Sequence, residues 1–134
     1  MKLSSTFVLD AFEQADPYDE VDGVPLARAE IRKTFSGDIV GTGAVQMLSA
    51  RSADGGAGYV ALERITGTIG GRKGSFALLH IGTMSDGATW GRWPVVPGSG
   101  TGELAGLRGE GTIEIHGDGT HAFHLDIELP PTAG

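Results

Sequence analysis

The sequence predicts an all-β domain that closes into an eight-stranded antiparallel up-and-down barrel. The first observation is a turn rhythm, because Asp-Gly pairs begin at Asp22, Asp54, Asp86 and Asp118, at a constant spacing along the chain. Asp-Gly favours tight hairpin turns, since both central positions of a type I′ turn need positive φ. Glycine-rich breaks fall about midway between these pairs, which divides the chain into about eight segments of strand length. β-branched and aromatic residues recur in every segment, and no window shows helical periodicity.

Each segment is predicted to form one strand bounded by turn residues. The predicted strands are Leu3–Phe12, Leu26–Phe35, Ile39–Ala50, Gly58–Thr68, Lys73–Met84, Thr89–Val96, Leu107–Ile115 and His121–Leu129. The acidic loop Glu13–Val24 is the only long connection in this prediction, and Pro130-Pro131 ends the last strand. Long loops often cover binding sites, although a solvated surface excursion is the simpler interpretation of this one.

Length and composition narrow the class of protein. The chain has 134 residues, which predicts one domain over residues 1–134, and it has no cysteine, which excludes disulfides, thiolate metal sites and a cysteine nucleophile. Its formal net charge is -7, so a nucleic-acid partner is not expected. No apolar run has the length of a signal peptide or a membrane span, and we therefore expect a cytoplasmic protein without a membrane partner.

Several motifs that would indicate other chemistry are incomplete. The run Gly98–Gly102 lacks the lysine of a phosphate-binding loop, and Pro97 stands where a nucleophile elbow needs glycine. This run is instead predicted to form a structural corner between strands. His121 and His124 would point to opposite faces of one strand, so they cannot chelate one metal together. We expect no metal site and no cofactor.

A register for the central strands follows from two-residue loops at Asp54-Gly55, Gly71-Arg72 and Asp86-Gly87. Residues that pair across such loops share one face of the sheet. In this register one row carries an amide, a carboxylate, an imidazole and an indole, from Gln46, Glu63, His80 and Trp93. A three-residue loop at any of these turns would move the strands beyond it to the other face.

We interpret this row as the lining of a pocket for a small apolar molecule. An apolar surface with a few convergent polar groups is typical of ligand sites. Glu63 and His80 are the predicted catalytic pair, since a carboxylate beside an imidazole orients the ring; a structural ion pair without chemistry is an equally open alternative. The residues predicted to bind ligand are Gln46, Tyr59, Phe76, Leu78 and Trp93.

The opposite face of the same strands is also rich in apolar side chains. It carries Val45, Met47, Val60, Leu62, Leu79 and Ile81. Either this face is the true interior, or both faces are buried and the outer one is covered by another subunit; we favour the second interpretation. Burying six such side chains would contribute on the order of 10 kcal/mol before the costs of association. The sequence therefore predicts a homo-oligomer, most simply a dimer.

Several stretches resemble a family of small uncharacterised bacterial proteins, a domain of unknown function. They are Lys33–Asp38, Leu62–Thr68, Gly74–His80 and, as the most specific, Val95–Leu107. The resemblance covers most of the chain. It implies an allene oxide cyclase-like barrel, related to dirigent proteins and calycin-like in arrangement, that is usually oligomeric and has no established activity. No catalytic residue of the cyclases matches a position in this sequence.

Three functions remain open. The first is a cofactor-independent cyclase or isomerase, with Glu63 as general base or cation stabiliser, His80 as its partner and Gln46 as a hydrogen-bond donor. Phe76, Leu78 and Trp93 would then hold the substrate in a productive conformer. The second is a lipocalin-like carrier that uses the same lumen without turnover, and the third is a filled barrel, because eight strands leave little room beyond side chains.

Overall fold

The computed structural model describes residues 1–130, which form a closed antiparallel barrel. Its strands are β1 (Lys2–Gln14), β2 (Asp19–Val21), β3 (Val24–Gly37), β4 (Ile39–Arg51), β5 (Ala57–Ile69), β6 (Arg72–Ser85), β7 (Ala88–Pro94), β8 (Arg108–Ile115) and β9 (His121–Glu128). Every long strand pairs with its neighbours along the chain, and β1 closes the barrel by pairing with both β3 and β9. The predicted eight-stranded barrel is therefore confirmed, with the short β2 as an addition to the edge of β3.

The predicted strands all lie where the turn signals placed them. The loop Glu13–Val24 is the exception, because it contains β2, which pairs with the start of β3 through Val21 and Val24. The Asp22-Gly23 turn makes this small hairpin. Pro131, predicted to help end the last strand, lies outside the described residues.

The Asp-Gly pairs form two different kinds of turn. Asp22 and Asp86 have φ of 51° and 52°, and the glycine after each also has positive φ, as a type I′ turn requires. Asp54 is not in this conformation. There the Ser52 N–H donates to the Gly56 carbonyl at 2.8 Å, and only Gly55 is left-handed, with φ of 95°. This is a three-residue loop with a glycine bulge, not the predicted two-residue loop.

The longer loop changes the register between β4 and β5 by one residue. Val45, not Gln46, lies opposite Glu63. Since side chains alternate along a strand, the whole of β4 presents the face opposite to the one predicted. Val45 and Met47 consequently point into the barrel, and Gln46 is exposed on its outside.

The next two turns preserve the predicted faces. The β5–β6 loop is Gly70-Gly71, one residue earlier than predicted, so Glu63 lies opposite Leu78 and Ala61 opposite His80. This register differs from the predicted one by two residues, which leaves each side chain on the same face. The β6–β7 register agrees with the prediction, and its continuation places His80 opposite Trp93.

The apolar core fills mainly the lower half of the barrel, which is the half nearer the Gly70-Gly71 turn. Its fully buried members include Ile39, Ile65, Ile69, Phe76, Leu78, Leu104, Leu107, Phe123, Leu125 and Ile127. The segment after β7 closes this end by bonding along β6: the Val96 N–H donates to the Ala77 carbonyl at 2.9 Å, and the Thr101 N–H to the Ser75 carbonyl at 2.8 Å. The glycine run is thus a structural corner, as predicted.

Helical structure within residues 1–130 is limited to the 3₁₀ turn Gly102–Leu104. No helix in that range is long and apolar enough to cross a bilayer.

Pairing between β7 and β8 is incomplete, which leaves a gap in the wall of the barrel. Only Trp93 with Gly111 and Pro94 with Glu110 pair in this ladder. Above them the segments Ala88–Arg92 and Thr112–Ile115 are not paired with each other in the described structure. We call this gap the seam. It opens beside the upper half of the barrel, where the polar side chains lie.

Candidate functional site

Three ionisable side chains meet inside the upper half of the barrel. Glu63 is 1% exposed, and its Oε1 atom lies 2.7 Å from His80 Nε2 and 3.2 Å from Lys33 Nζ. His80 and Lys33 are also buried. We call these three residues the inner cluster. Buried charge is tolerated when it is paired and hydrogen-bonded, and here one carboxylate oxygen serves both partners.

The strands bring the cluster together from three sides. Glu63 is on β5, His80 on β6 and Lys33 on β3, each at an inward position of its strand. Between β3 and β5, the inward position on β4 opposite Lys33 is Gly43. Any side chain at Gly43 would overlap Glu63 Oε2. The missing side chain therefore makes the space that the carboxylate occupies.

The environment keeps Glu63 ionised. Burial by itself would raise the pKa of this carboxyl group, but the hydrogen bond with His80 and the charge of Lys33 outweigh burial and hold the pKa below its usual range. Lys33 Nζ also lies 4.4 Å from the centre of the Phe7 ring, a cation–π contact. The charge of Lys33 is thus compensated by a carboxylate on one side and an aromatic face on the other.

An ionised Glu63 fixes the state of the His80 ring. A carboxylate only accepts hydrogen bonds, so His80 Nε2 must carry the hydrogen that it shares with Glu63 Oε1. In the neutral ring, Nδ1 is then a hydrogen-bond acceptor. Within residues 1–130 Nδ1 has no hydrogen-bond partner, yet it is not among the fully enclosed atoms. The arrangement leaves one basic nitrogen free to take a proton.

Two aromatic rings lie above the inner cluster, over a pair of glycines. A side chain at Gly82 would overlap the Tyr59 ring, and one at Gly91 would press on the Trp93 ring. Gly82 and Gly91 face each other across β6 and β7. Burial raises the pKa of the Tyr59 phenol, an effect that the nearby indole N–H of Trp93 opposes, although those two groups do not form a well-aligned hydrogen bond.

Two buried polar atoms have no hydrogen-bond partner in the described part of the chain. They are Glu63 Oε2 and Trp93 Nε1. Leaving such groups unpaired costs roughly 1–3 kcal/mol each, so native proteins keep few of them, commonly at functional sites. One is an acceptor and the other a donor, and both belong to the lining of the upper barrel.

The predicted site residues are only partly brought together. Glu63, His80 and Trp93 share the interior as predicted, and Tyr59 lies beside them, half-buried. Phe76 and Leu78 also point inward but are fully enclosed in the lower core. Gln46 does not belong to this site, because the three-residue loop before β5 places it outside. Its predicted role as a hydrogen-bond donor inside the lumen was wrong.

Lys33 is the site residue that sequence reasoning missed. Ala27, Ala29 and Phe35 are buried at alternate positions of β3, and Lys33 falls in the same phase. That alternation is the signal that the sequence contains. The predicted register begins only at β4, and it therefore leaves Lys33 without an assigned face.

The histidines near the C-terminus lie on opposite faces of β9, as predicted. His121 stacks on the Phe7 ring at 5.1 Å, inside the barrel. His124 is outside, with Nδ1 at 3.0 Å from Ser4 Oγ. Within residues 1–130 no group of three His, Asp or Glu side chains has an arrangement suited to a metal ion.

Comparison with known proteins finds relatives of the same shape. The model of a family described as "Protein of unknown function (DUF3224)" matches residues 3–127. The crystal structure of a protein of unknown function from that family, from Shewanella oneidensis MR-1, is 38% identical in sequence. The alignment covers 98% of each chain with a TM-score of 0.89. No curated protein matches the chain.

Proposed function

The chain belongs to the DUF3224 family of proteins of unknown function, and from the geometry of its own site we propose that it catalyses proton transfer within a small apolar molecule, as a cofactor-independent isomerase or cyclase. The observation that carries this proposal is the buried carboxylate–imidazole pair, Glu63 and His80, with the second ring nitrogen unoccupied. A histidine oriented in this way is a common general base.

Each member of the inner cluster has a distinct part in this proposal. His80 Nδ1 removes a proton from one carbon atom of the substrate, exchanges it with solvent, and delivers a proton to another carbon atom. Glu63 accepts the hydrogen bond from Nε2 and stabilises the imidazolium that forms. Lys33, together with the hydrogen bond from His80, keeps Glu63 ionised. His80 is the catalytic residue, and Glu63 and Lys33 position it.

We further propose that the barrel is of the allene oxide cyclase and dirigent type, a calycin-like arrangement. The order of the strands supports this, because eight long antiparallel strands follow one another around the barrel and the first closes on the last. Such a barrel suits an apolar substrate, since its walls exclude water from the reacting atoms.

A lipocalin-like carrier without turnover is the second candidate. The unpartnered atoms Glu63 Oε2 and Trp93 Nε1 favour it, because a bound molecule with one donor and one acceptor would satisfy both. Native mass spectrometry of freshly purified protein would reveal a co-purifying ligand. A retained ligand that undergoes no proton exchange would identify the protein as a carrier.

Deuterium incorporation tests the catalytic proposal across several classes of compound at once. Small ketones, alkenes, allylic alcohols and aryl ethers are incubated with the protein in D₂O and measured by mass spectrometry. We expect at least one compound class to gain deuterium, and His80→Gln to slow this by about 100-fold or more, the usual contribution of a general base.

His124→Gln is the matched control, because His124 lies outside the barrel and should leave the exchange rate unchanged. Exchange that is absent from every compound class, or that persists in His80→Gln, would refute proton transfer by this site.

A further inference from the structure

We propose that the substrate is a small apolar ketone or related carbonyl compound whose oxygen is held by the indole N–H of Trp93 and the hydroxyl of Tyr59. This inference rests on the proposed function and deepens it by naming the substrate class. We call these two groups the donor pair.

The indole of Trp93 is an unpaired hydrogen-bond donor in the described structure. Its N–H is a donor and cannot accept, so it can only be satisfied by an acceptor such as a carbonyl oxygen. This N–H is buried and has no partner among residues 1–130. The Tyr59 hydroxyl lies next to it, and because burial raises the pKa of this phenol, the hydroxyl keeps its proton at neutral pH. Two donor groups therefore lie side by side in the interior.

The proposed base lies on the strand next to that of Trp93. His80 is opposite Trp93 in the register between β6 and β7. Side chains opposite each other in an antiparallel pair begin about 4.5–5.5 Å apart at their Cβ atoms. The base and the indole donor therefore lie on neighbouring strands and line the same interior, within reach of one small carbonyl compound. Donors aimed at a developing oxyanion are usually a large contribution to this kind of catalysis.

Two glycines leave room for a small molecule beside the donor pair. Gly82 and Gly91 present no side chains beneath the donor pair, and the rings of Tyr59 and Trp93 lie over them. Both residues are only partly buried, and the seam between β7 and β8 opens beside them. Rotation of either ring would open the volume over the glycines to an incoming molecule.

The proposed step balances without a co-reactant. His80 Nδ1 takes the α-proton, and the electron pair of the broken C–H bond becomes the C=C bond of an enolate. The carbonyl π electrons move to the oxygen, which accepts hydrogen bonds from Trp93 and Tyr59. The imidazolium exchanges its proton with solvent and delivers a proton to the γ-carbon of a β,γ-unsaturated ketone. The electrons on the oxygen re-form the carbonyl bond and the C=C bond moves into conjugation with it, which restores neutral His80.

A phenolate tests the donor pair independently of turnover, because its oxygen resembles that of an enolate. The probe is 4-nitrophenol, whose ionisation is read from its absorbance. We expect the protein to bind it with a shift of its titration toward lower pH, and we expect Trp93→Phe and Tyr59→Phe each to weaken phenolate binding at least tenfold. Both variants keep a ring over the glycines, so folding is preserved.

Trp90→Phe is the matched control, since Trp90 is an exposed tryptophan on the same strand and should leave the shift intact. Binding of 4-nitrophenol without a shift, no binding at all, or a shift that survives in both Trp93→Phe and Tyr59→Phe would overturn the donor pair.

The catalytic arm uses cyclohex-3-enone, whose conversion to cyclohex-2-enone is followed by ultraviolet absorbance. We expect turnover that falls about 100-fold when either donor is removed, the usual loss for an oxyanion donor. If the deuterium screen succeeds only with compounds that lack a carbonyl, the carbonyl inference fails while proton transfer by His80 stands. If no compound exchanges, the proposed function itself fails.

Discussion

The buried charges of Lys33 and Glu63 depend on each other. Each is almost completely removed from water, and their atoms lie 3.2 Å apart. A charge in such surroundings is costly unless its partner is present, whereas a well-packed neutral pair in the same place is often tolerated. Loss of either charge is therefore expected to lower the free energy of unfolding as well as to change the site.

Substitution of the pair should be strongly non-additive. We expect Lys33→Met to lower the free energy of unfolding by about 3–5 kcal/mol, because it leaves Glu63 buried without its cation. Glu63→Gln should have a similar effect through Lys33. The double variant should recover most of this loss, and urea denaturation measures all three. Additive losses in the double variant would show that the two charges are not coupled.

Turn conformation is the element-scale feature that separates the predicted register from the observed one. Four turns carry the same Asp-Gly pair, but the aspartate is left-handed only at Asp22 and Asp86. At Asp54 the Ser52 hydroxyl and backbone hold a longer loop closed instead, with the Ser52 Oγ accepting from the Gly56 N–H at 2.9 Å. The dipeptide indicates that a turn exists, and the flanking residues decide how many residues it contains.

The left-handed aspartate gives a test at this scale. Asp86→Ala should lower the free energy of unfolding by about 1–2 kcal/mol, because alanine must adopt a φ near 52° without local hydrogen bonding by its side chain. Asp86→Asn is the matched control and should be nearly neutral, since asparagine tolerates this conformation. Urea midpoints of the two variants decide it. Equal midpoints would mean that the turn relaxes to another conformation.

The alternation of side chains along each strand explains how much of the site can be predicted from the sequence. Glu63, His80 and Trp93 were placed on one face correctly because the register error at Gly70-Gly71 was two residues, which is one full period of a strand. Gln46 was misplaced because the error at Asp54 was a single residue. Lys33 was missed because the predicted register does not extend to β3, and because a lysine in a barrel interior needs a partner that only the tertiary structure supplies.

At the scale of the whole molecule, the outer surface of β3 to β6 carries an apolar groove of about 440 Å³. We call it the outer groove. The outward-facing residues that line it are Arg28, Gln46, Leu48, Val60, Leu62 and Leu79. Val60 and Leu62 are 47% and 55% exposed. Val45 and Met47, assigned to this face from the sequence, lie inside instead.

We propose that a second copy of the chain covers the outer groove. The support is a continuous aliphatic strip with a polar residue, Arg28 or Gln46, at its rim, as in subunit interfaces. We expect light scattering at micromolar concentration to give a dimer and Leu62→Lys to give a monomer. Val40→Lys is the matched control, because Val40 is equally exposed but outside the groove. A monomeric wild-type protein would refute the proposal.

The stability of the molecule in acid should depend on the inner cluster. The pKa of Glu63 is lowered in the folded state, whereas in the unfolded chain it is near the ordinary value of about 4.3. The unfolded state therefore binds more protons in acid, so the contribution of Glu63 is complete at neutral pH and is lost as pH falls below that ordinary value.

This gives a prediction for the pH dependence of unfolding. The free energy of unfolding of the wild type should fall more steeply below about pH 5 than that of the Lys33→Met/Glu63→Gln double variant. The exposed carboxyl groups whose pKa is also lowered, Asp54, Glu110 and Asp118, are common to both proteins and cancel in the difference. Chemical denaturation across the acid range measures it, and parallel curves would contradict the prediction.

The seam between β7 and β8 has a consequence for solubility. A fully closed barrel has no free strand edge, but Ala88–Arg92 and Thr112–Ile115 leave the backbone N–H and C=O groups that face the seam without a partner strand within residues 1–130. Such edges are templates for pairing with a strand of another chain, the first step of amyloid-like growth. Arg92 Nε donates to Glu110 Oε1 at 2.9 Å, and this ion pair places charges at the base of the opening. Charges on an edge disfavour such pairing, so this exposed ion pair disfavours self-association through the seam. Its contribution to the stability of the fold is small because both side chains are exposed.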